Sequence, residues 1–563
     1  MGCRGVKVRD YSSCLAHLMP EHRDAYLSSL RPGDSINHDG TRLEDDLLSS
    51  LLERFRDGAG EKRRIGAASF HEATFAGVAN FRSTTFTGET TFSHARFEQP
   101  ALFDWVTFEE EANFYETYFQ QQATFIDVQF KARSEFEEAS FPEGAWFAGC
   151  RFTRSANFMH STFGGKAIFN LTEFQSDLLI SHARFRDANF IGIIANTPLS
   201  LESFICAGEL NLSQACFKAP VTVSAAVSQL RCVRTRWEAT AALRLRRTSV
   251  DLTDSVLSQP LSITSLHAPL DDPYLQESGV DWLREDVAVE SVSGVDCSFL
   301  SLMDVDLSKC RFAGALHLDQ IRLEGYRRFS SPPRSRFWHL GLPLRWTPRQ
   351  VIEEERQWRA LPSRRRSQRA GWGSPPDTIT AVPGLATLTA VYRQLRKARE
   401  DAKDEPGAAD FYYGEMEMRR HSFRWRKSER WLLQLYWLIS GYGLRASRAI
   451  GWLLATMLIT IILLMGFGVP ASQPKETAVG NFPSGDGKVN LVIDKQDPAL
   501  PEGNRFTSER FEKSLKITLN SVIFRSSEQD LTTAGGYIEM ASRFLEPILL
   551  GLAALATRGR LKR

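Results

Sequence analysis

Neither sign of charge dominates these 563 residues: 69 Lys and Arg stand against 67 Asp and Glu, a formal net charge of +2. That balance excludes a uniformly basic or uniformly acidic chain. The start has no apolar signal-peptide core, so the N-terminal part is expected in the cytoplasm. "MGC" invites lipids on Gly2 and Cys3, but Val6 stands where that motif wants Ser or Thr. The eight cysteines show no paired metal spacing and read as free thiols in a reducing compartment. The eleven His, such as His71, His94, His160 and His182, are expected on solvated corners, none at ligand spacing from a Cys or second His. "FGGKAIF" lacks a phosphate loop's opening glycine, where His160 stands, and its hydroxyl residue, where Ala167 stands. No catalytic or cofactor constellation emerges, and the chain is not read as an enzyme.

What is present is phenylalanine at a fixed interval. One series runs Phe75, Phe86, Phe97, Phe108, Phe119, Phe130, Phe141, Phe152, Phe163, Phe174, Phe185. A second runs Phe81, Phe92, Phe103, Phe114, Phe125, Phe136, Phe147, Phe158, Phe169, with Ile180 next, so gaps of six and five alternate. Two positions before most of them sits a small or β-branched residue, such as Ala73, Ala79, Thr84, Ala101, Val106 and Ala123. On a helix, steps of five and six would rotate successive rings by about 140° and 240°, which makes no seam. In an extended segment, residues two apart share a face. Small residue and Phe then both point inward, a corner follows, and four such sides close one coil of a solenoid.

The wording "ASFHEATFAGVANFRSTTF" and "EASFPEGAWFAGCRFTRSANF" resembles the Phe-rich class of pentapeptide-repeat proteins. The resemblance implies a mainly β fold, a right-handed quadrilateral β-helix with Phe stacked along its axis. Cys150 and Cys310 hold the small inward position before Phe152 and Phe312. After Phe190 the repeat degrades, with Leu212, Phe217 and Val223, then Leu245, Val250, Val256 and Leu261, then Leu302, Leu307, Phe312, Leu318 and Leu323 in the repeat slots. An insertion is expected over 271–286.

Five regions result. Residues 1–65 are a helical cap, with a helix from Pro20 to about Leu30 and a Thr41/Glu44 capping box before a Leu-rich helix. Residues 66–325 are the β-helix, 326–382 a basic Pro-rich linker with one helix from Pro348 to Arg359, and 383–446 a helical connector. Residues 447–563 are a transmembrane, pore-loop-like domain. The connector "YRQLRKAREDAKDEPGAADFYYGEMEMRR" resembles that of bacterial pentapeptide-repeat membrane proteins. Arg424, Trp425, Arg426, Lys427, Arg430, Trp431 and Trp437 suit an interfacial helix on anionic headgroups.

Ile450 to Val469 is uncharged and long enough for the roughly 30 Å hydrocarbon core. Arg445 and Arg448 precede it on the cytoplasmic side. Tyr537 to Thr557 is favoured as the second span, since the basic tail "RGRLKR" would otherwise be stranded outside; Glu546 then lies in the membrane, the alternative being that Glu539 to Glu546 sit above the bilayer. Between them an amphipathic helix over 511–524 is followed by "RSSEQDLTTAGGY". This stretch resembles the two-span ion-channel domain attached to some of these repeat proteins, which implies a pore loop at Thr532, Thr533, Ala534, Gly535 and Gly536 in a homo-oligomer. "TTAGGY" departs from the potassium filter, so no ion is assigned. The expected function is an oligomeric channel-like plasma-membrane protein with a cytoplasmic sensor or protein-binding rod, or else a non-conducting anchored scaffold. Weaker is a DNA-mimicking topoisomerase binder, suggested by the acidic run from Asp104 to Glu143; no nucleic-acid partner is expected.

Overall fold

Ala79, Ala101, Ala123 and Ala145 stand side by side on successive parallel strands, 22 residues apart at each step. That interval is one coil. The computed structural model describes residues 3–58, 62–270, 280, 282, 284–333, 348–361, 371–372, 382–471, 476–479, 492–495, 498–500, 503–523 and 529–561. It forms two units, one running to Pro333 with Pro348–Pro383 and Arg393–Lys403, the other holding Gly384–Tyr392 and Asp404–Arg563.

The first unit is a parallel β-solenoid. Most strands in its regular part are two residues long, because the chain must turn after every Phe. All twenty Phe of the two series are at most 3% exposed. They form four ladders: Phe75 to Phe185, Phe81 to Phe169 and on to Phe190, Phe86 to Phe174, and Phe92 to Phe158 with Phe70 before it. Within a ladder, centroids are 4.4 Å apart at Phe75/Phe97 and 5.2 Å at Phe86's neighbour pair Phe108/Phe130, with rings nearly parallel. Neighbouring ladders meet edge to face, as at Phe125/Phe136, 5.6 Å and 90°. Offset stacking and T-shaped contacts are the two arrangements that the ring quadrupole favours.

The alternation of five and six has a local cause. Ala73 N–H donates to Phe70 O and Thr117 N–H to Phe114 O, closing four-residue turns. Their third residue is left-handed, at Glu72, Ser83, His94, Trp105, Glu116, Asp127 and Glu138 in turn, as a type II turn requires. Some inward small residues that carry a donor use a carbonyl of the coil below: Thr117 Oγ1 reaches Phe92 O at 2.8 Å, and the Cys150 thiol reaches Phe125 O at 2.7 Å. Burial pushes the Cys150 and Cys232 thiols far up, so they are inert packing groups.

Three expectations need correction. In the degenerate half the coil shortens to 20 residues, with Phe217 beside Trp237 and Trp237 beside Leu257. Val256 therefore faces solvent, 53% exposed, and Leu257 takes the inward slot. At the other end the solenoid begins inside the expected cap. Ile36–Asn37 pairs with Ala68–Ser69, Arg42–Leu43 with Thr74–Phe75, and Arg63–Ile65 with Thr84–Phe86. Helix α1 (Pro20–Ser29) forms as expected, and α2 (Asp45–Glu53) takes one side of this first coil, burying Leu47, Leu48, Leu51 and Leu52. The Thr41/Glu44 capping box does not form, because Thr41 Oγ1 donates to Asp39 O and Leu43 belongs to a strand.

His38 therefore occupies a ring slot, tilted over Phe70 at 6.2 Å and fully buried. Burial lowers its pKa from the usual 6.5 to about 4. The neutral ring is the folded form, so stability is complete above pH 6.5 and falls as acid protonates the unfolded chain preferentially. Between pH 7 and 5 the first coil is expected to lose about 2 kcal/mol. Hydrogen exchange over Ile36 to Leu43 reads this, and His38→Phe should flatten it.

Helix α3 (Glu353–Ala360) starts later than expected and packs at the far end of the solenoid. Glu354 Oε1 there accepts from the N–H groups of Phe312 and Ala313. Most of the 271–286 insertion and the run "PSRRRSQR" lie outside the described residues.

Candidate membrane module

The second unit is helical. Helix α4 (Leu385–Asp401), of which only the part up to Tyr392 belongs to this unit, leads to α5 (Glu405–Ser422), whose N-cap Asp404 accepts from Gly407 N–H at 3.1 Å. Gly414 of α5 is needed, since a Cβ there would lie 2.5 Å from the Tyr392 ring. Helix α6 (Ser428–Ser440) ends at Gly441 in the left-handed region. Glu417, Arg420 and Tyr442 form a buried network, with Tyr442 Oη donating to Glu417 Oε1 at 3.2 Å. Trp437 is turned into it: its indole donates to Tyr413 Oη at 2.9 Å, and the Arg420 guanidinium lies 4.6 Å from its ring centre. Of the residues expected at headgroups, Arg424, Trp425, Arg426, Lys427 and Trp431 are exposed, whereas Trp437 and Arg430 are half-buried. Arg430 stacks 3.9 Å over Trp425 and donates to Phe423 O.

Among the described residues, two helices are long and apolar enough to cross a membrane. Helix α7 (Ala446–Leu463) continues through a wider turn to Gly468, 23 residues at mean hydropathy 2.3. Helix α9 (Thr533–Leu561) contains Thr533–Thr557 at mean hydropathy 1.3. Between them in sequence, α8 (Ser508–Val522) packs against both. In the two apolar helices and on the buried side of α8 the polarity is inverted, while α8 also turns Glu509, Glu512, Lys513 and Lys516 outward. Ser514, Thr518 and Ser521 of α8 are buried, while Leu454, Leu458 and Ile459 of α7, Leu519 of α8, and Met540 and Phe544 of α9 are more than half exposed. Apolar outside and hydroxyl inside is the arrangement that lipid favours and water does not.

Glu546 of α9 is fully buried against α7, and its Oε1 accepts from Thr460 Oγ1 at 3.1 Å. Thr460 lies 14 residues into α7, or about 21 Å at 1.5 Å per residue, so the carboxyl is level with the apolar segment rather than beyond it.

The expected pore loop has another form. Thr532 is the N-cap of α9: its Oγ1 accepts from Gly535 N–H at 3.1 Å. It also ties the two spans together, since Thr532 N–H donates to Gly468 O at 3.0 Å and its hydroxyl donates to Phe467 O. Thr533, Ala534, Gly535 and Gly536 form the first turn of α9, with Gly536 N–H bonded to Thr532 O at 2.9 Å. The physical reason is contact: a Cβ on Gly535 would lie 2.6 Å from Gly468 O. The turn is seated on the end of α7, and its carbonyls are oriented along the helix. Residues 524–528 of the expected loop lie outside the described residues.

The sequence reading missed Thr460, Gly468 and Arg510. Arg510 Nη2 donates to Met465 O at 2.6 Å and Nη1 to Pro470 O at 3.3 Å, satisfying carbonyls freed at the end of α7. A lone basic residue on the buried face of an amphipathic helix was the available signal. The reading also saw no Cys near a His at ligand distance. The folded N-terminus overturns that, bringing Cys3, Cys14 and His17 together, with donor atoms all within 4.8 Å.

Segments 65–107, 81–129 and 114–161 match the family model described as pentapeptide repeats (9 copies). No curated protein and no solved structure matches the chain.

Proposed function

We propose, for a chain that carries pentapeptide repeats and two possible membrane-spanning helices, an ion-conducting membrane assembly in which several copies bring their helical modules around one axis. The observation that carries this reading is the short helix α8, packed against both apolar helices with Ser514, Thr518 and Ser521 inward, while Leu454, Leu458, Met540 and Phe544 of those two helices face outward. The solenoid is the cytoplasmic sensor or binding rod. Arg445 and Arg448 before the first span and the basic tail after the second favour both termini in the cytoplasm, in a plasma membrane of anionic lipid. Exposed Thr533, Ala534 and Gly536, at the head of α9, are the positions nearest a shared axis in this reading.

A non-conducting anchored scaffold is the second reading, and the helical state of Thr533 to Gly536 favours it. A filter of backbone carbonyls needs an extended loop, not a helical turn. The DNA-mimic reading is weaker still, because Asp104 pairs with Arg82 at 2.8 Å, Glu109 with Lys131 at 3.2 Å and Glu135 with Arg133 at 2.6 Å.

Ion flux from liposomes holding the full-length protein tests the proposal. Flux above protein-free liposomes, reduced by Ala534→Trp on the exposed face, is expected. Replacing the whole of Thr532 to Gly536 is a poorer test, since it removes the clasp to Gly468. Absence of flux across voltage, salt and pH, with insertion verified by protease protection, leaves the anchored scaffold.

A further inference from the structure

At the N-terminus, three soft or borderline donors converge from two separate stretches of chain. Cys14 Sγ lies 3.3 Å from Cys3 Sγ and 3.2 Å from His17 Nδ1. Cys14 and His17 come from one short turn, since Cys14 is the N-cap of the 3₁₀ helix Leu15–His17. Cys3 comes from the other stretch, which is held in place independently of the sulfur contact. Val6 N–H donates to Asp39 O at 2.8 Å, and Val8 N–H to Ser13 O at 3.0 Å.

The backbone is fitted to this convergence. Gly5 passes so close to Cys14 that a Cβ would lie 2.7 Å from Cys14 Cβ and 2.9 Å from its sulfur. On the other side Gly40, left-handed at φ +61°, leaves 2.4 Å between a Cβ and Arg4 O. Gly5 N–H also donates to Cys3 Sγ at 3.3 Å, two residues on, where an amide stabilises negative charge on the sulfur. Cys14 is buried, whereas Cys3 and His17 are exposed, so the cluster opens to solvent on one side. The remaining cysteines belong to the solenoid, where Cys150, Cys206, Cys232, Cys297 and Cys310 are buried.

We infer that Cys3, Cys14 and His17 form a binding site for a zinc-class divalent cation. Two thiolates and one imidazole are the donor set that such ions take, with the fourth tetrahedral position open on the solvent side. Around a zinc-sized ion, a thiolate pair spans about 3.8 Å and a thiolate–imidazole pair about 3.6 Å, given metal bonds of about 2.3 and 2.0 Å. The two pairs that Cys14 makes need to part by roughly half an ångström, and Cys3 and His17, within 4.8 Å of each other, need to settle at about 3.6 Å, both by χ1 rotation at Cys3 and His17. Binding displaces water from the cation and releases the two thiol protons to solvent, with no change in oxidation state. The bound ion would pin the Cys3 to Val8 strand against the turn that precedes α1.

Full-length protein in detergent, with thiols reduced, is titrated with Co²⁺. One equivalent is expected to bind, with a thiolate-to-cobalt band in the near ultraviolet that Zn²⁺ bleaches. Cys3→Ser or Cys14→Ser should abolish the band, and His17→Ala should weaken binding at least about tenfold. Cys3 is exposed and lies before the first coil, so its replacement leaves the solenoid's circular dichroism as an internal check. As an independent measurement, Zn²⁺ should slow alkylation of Cys3, followed by mass spectrometry, but not that of Cys216. A band that persists in the Cys3→Ser/Cys14→Ser double variant overturns the inference. So does reduced protein that shows neither the band nor Zn²⁺ protection of Cys3.

Discussion

Phe125→Ala is expected to destabilise its coil by about 3–5 kcal/mol, the usual cost of truncating a fully buried ring. Phe125 is 0% exposed and lies 4.8 Å from Phe103 and 4.6 Å from Phe147 in its own ladder, with Phe114 and Phe136 edge-on beside it. The hole cannot collapse, because every surrounding ring is fixed by its own ladder. The solenoid is held together by nearest-neighbour contacts, so the loss should be local rather than global. Hydrogen exchange is the direct measurement. Amides near Ala101 and Ala145 should open about 10² to 10⁴ times more readily, while those near Leu243 and Leu302 stay unchanged. Phe125→Leu should lose much less, since leucine fills equivalent slots later in the same rod. Uniform loosening of the whole rod would contradict the ladder account.

Gly535→Val is expected to part the two apolar helices at the end where Thr532 clasps them. The new Cβ would meet three backbone atoms of Gly468, at 2.6, 2.7 and 3.0 Å, none of which can rotate away. Overpacking costs about 1–3 kcal/mol, and the hydrogen bonds from Thr532 to Gly468 and Phe467 add about 1 kcal/mol each if lost. A loss of about 3–5 kcal/mol should therefore appear, with both bonds broken, when helix unfolding is followed against SDS. Gly536→Val is the control: a Cβ there meets nothing within 4 Å, so only the helix-propensity difference remains, which favours valine by less than about 1 kcal/mol. Equal effects at the two glycines would show that the α7–α9 contact is not what holds this end together.

The buried carboxyl of Glu546 joins the same helix pair nearer its middle, hydrogen-bonded to Thr460. Polar contacts at both levels give α7 and α9 a defined register, which apolar surface alone would leave free to slide.

By itself, the sequence determined the rod and its core. The eleven-residue period is carried in every repeat, and each Phe faces inward for a reason within five residues of it: an extended pair, then a turn. The same locality made α1 and the two long apolar helices legible, because length and hydropathy need no partner. Tertiary structure decided whatever depends on a partner far away in the chain. His38 is a ring of the first coil only because residues 36–37 pair with 68–69, and Val256 faces out only because the coil there shortens to 20 residues. Thr533 to Gly536 became a helical turn because Gly535 meets Gly468, 67 positions earlier, at backbone distance. Cys3 meets Cys14 and His17 because Gly5 and Gly40 let two backbones pass where no side chain fits. Close approach of distant backbone leaves only a glycine in the sequence, and a glycine does not say what it will touch.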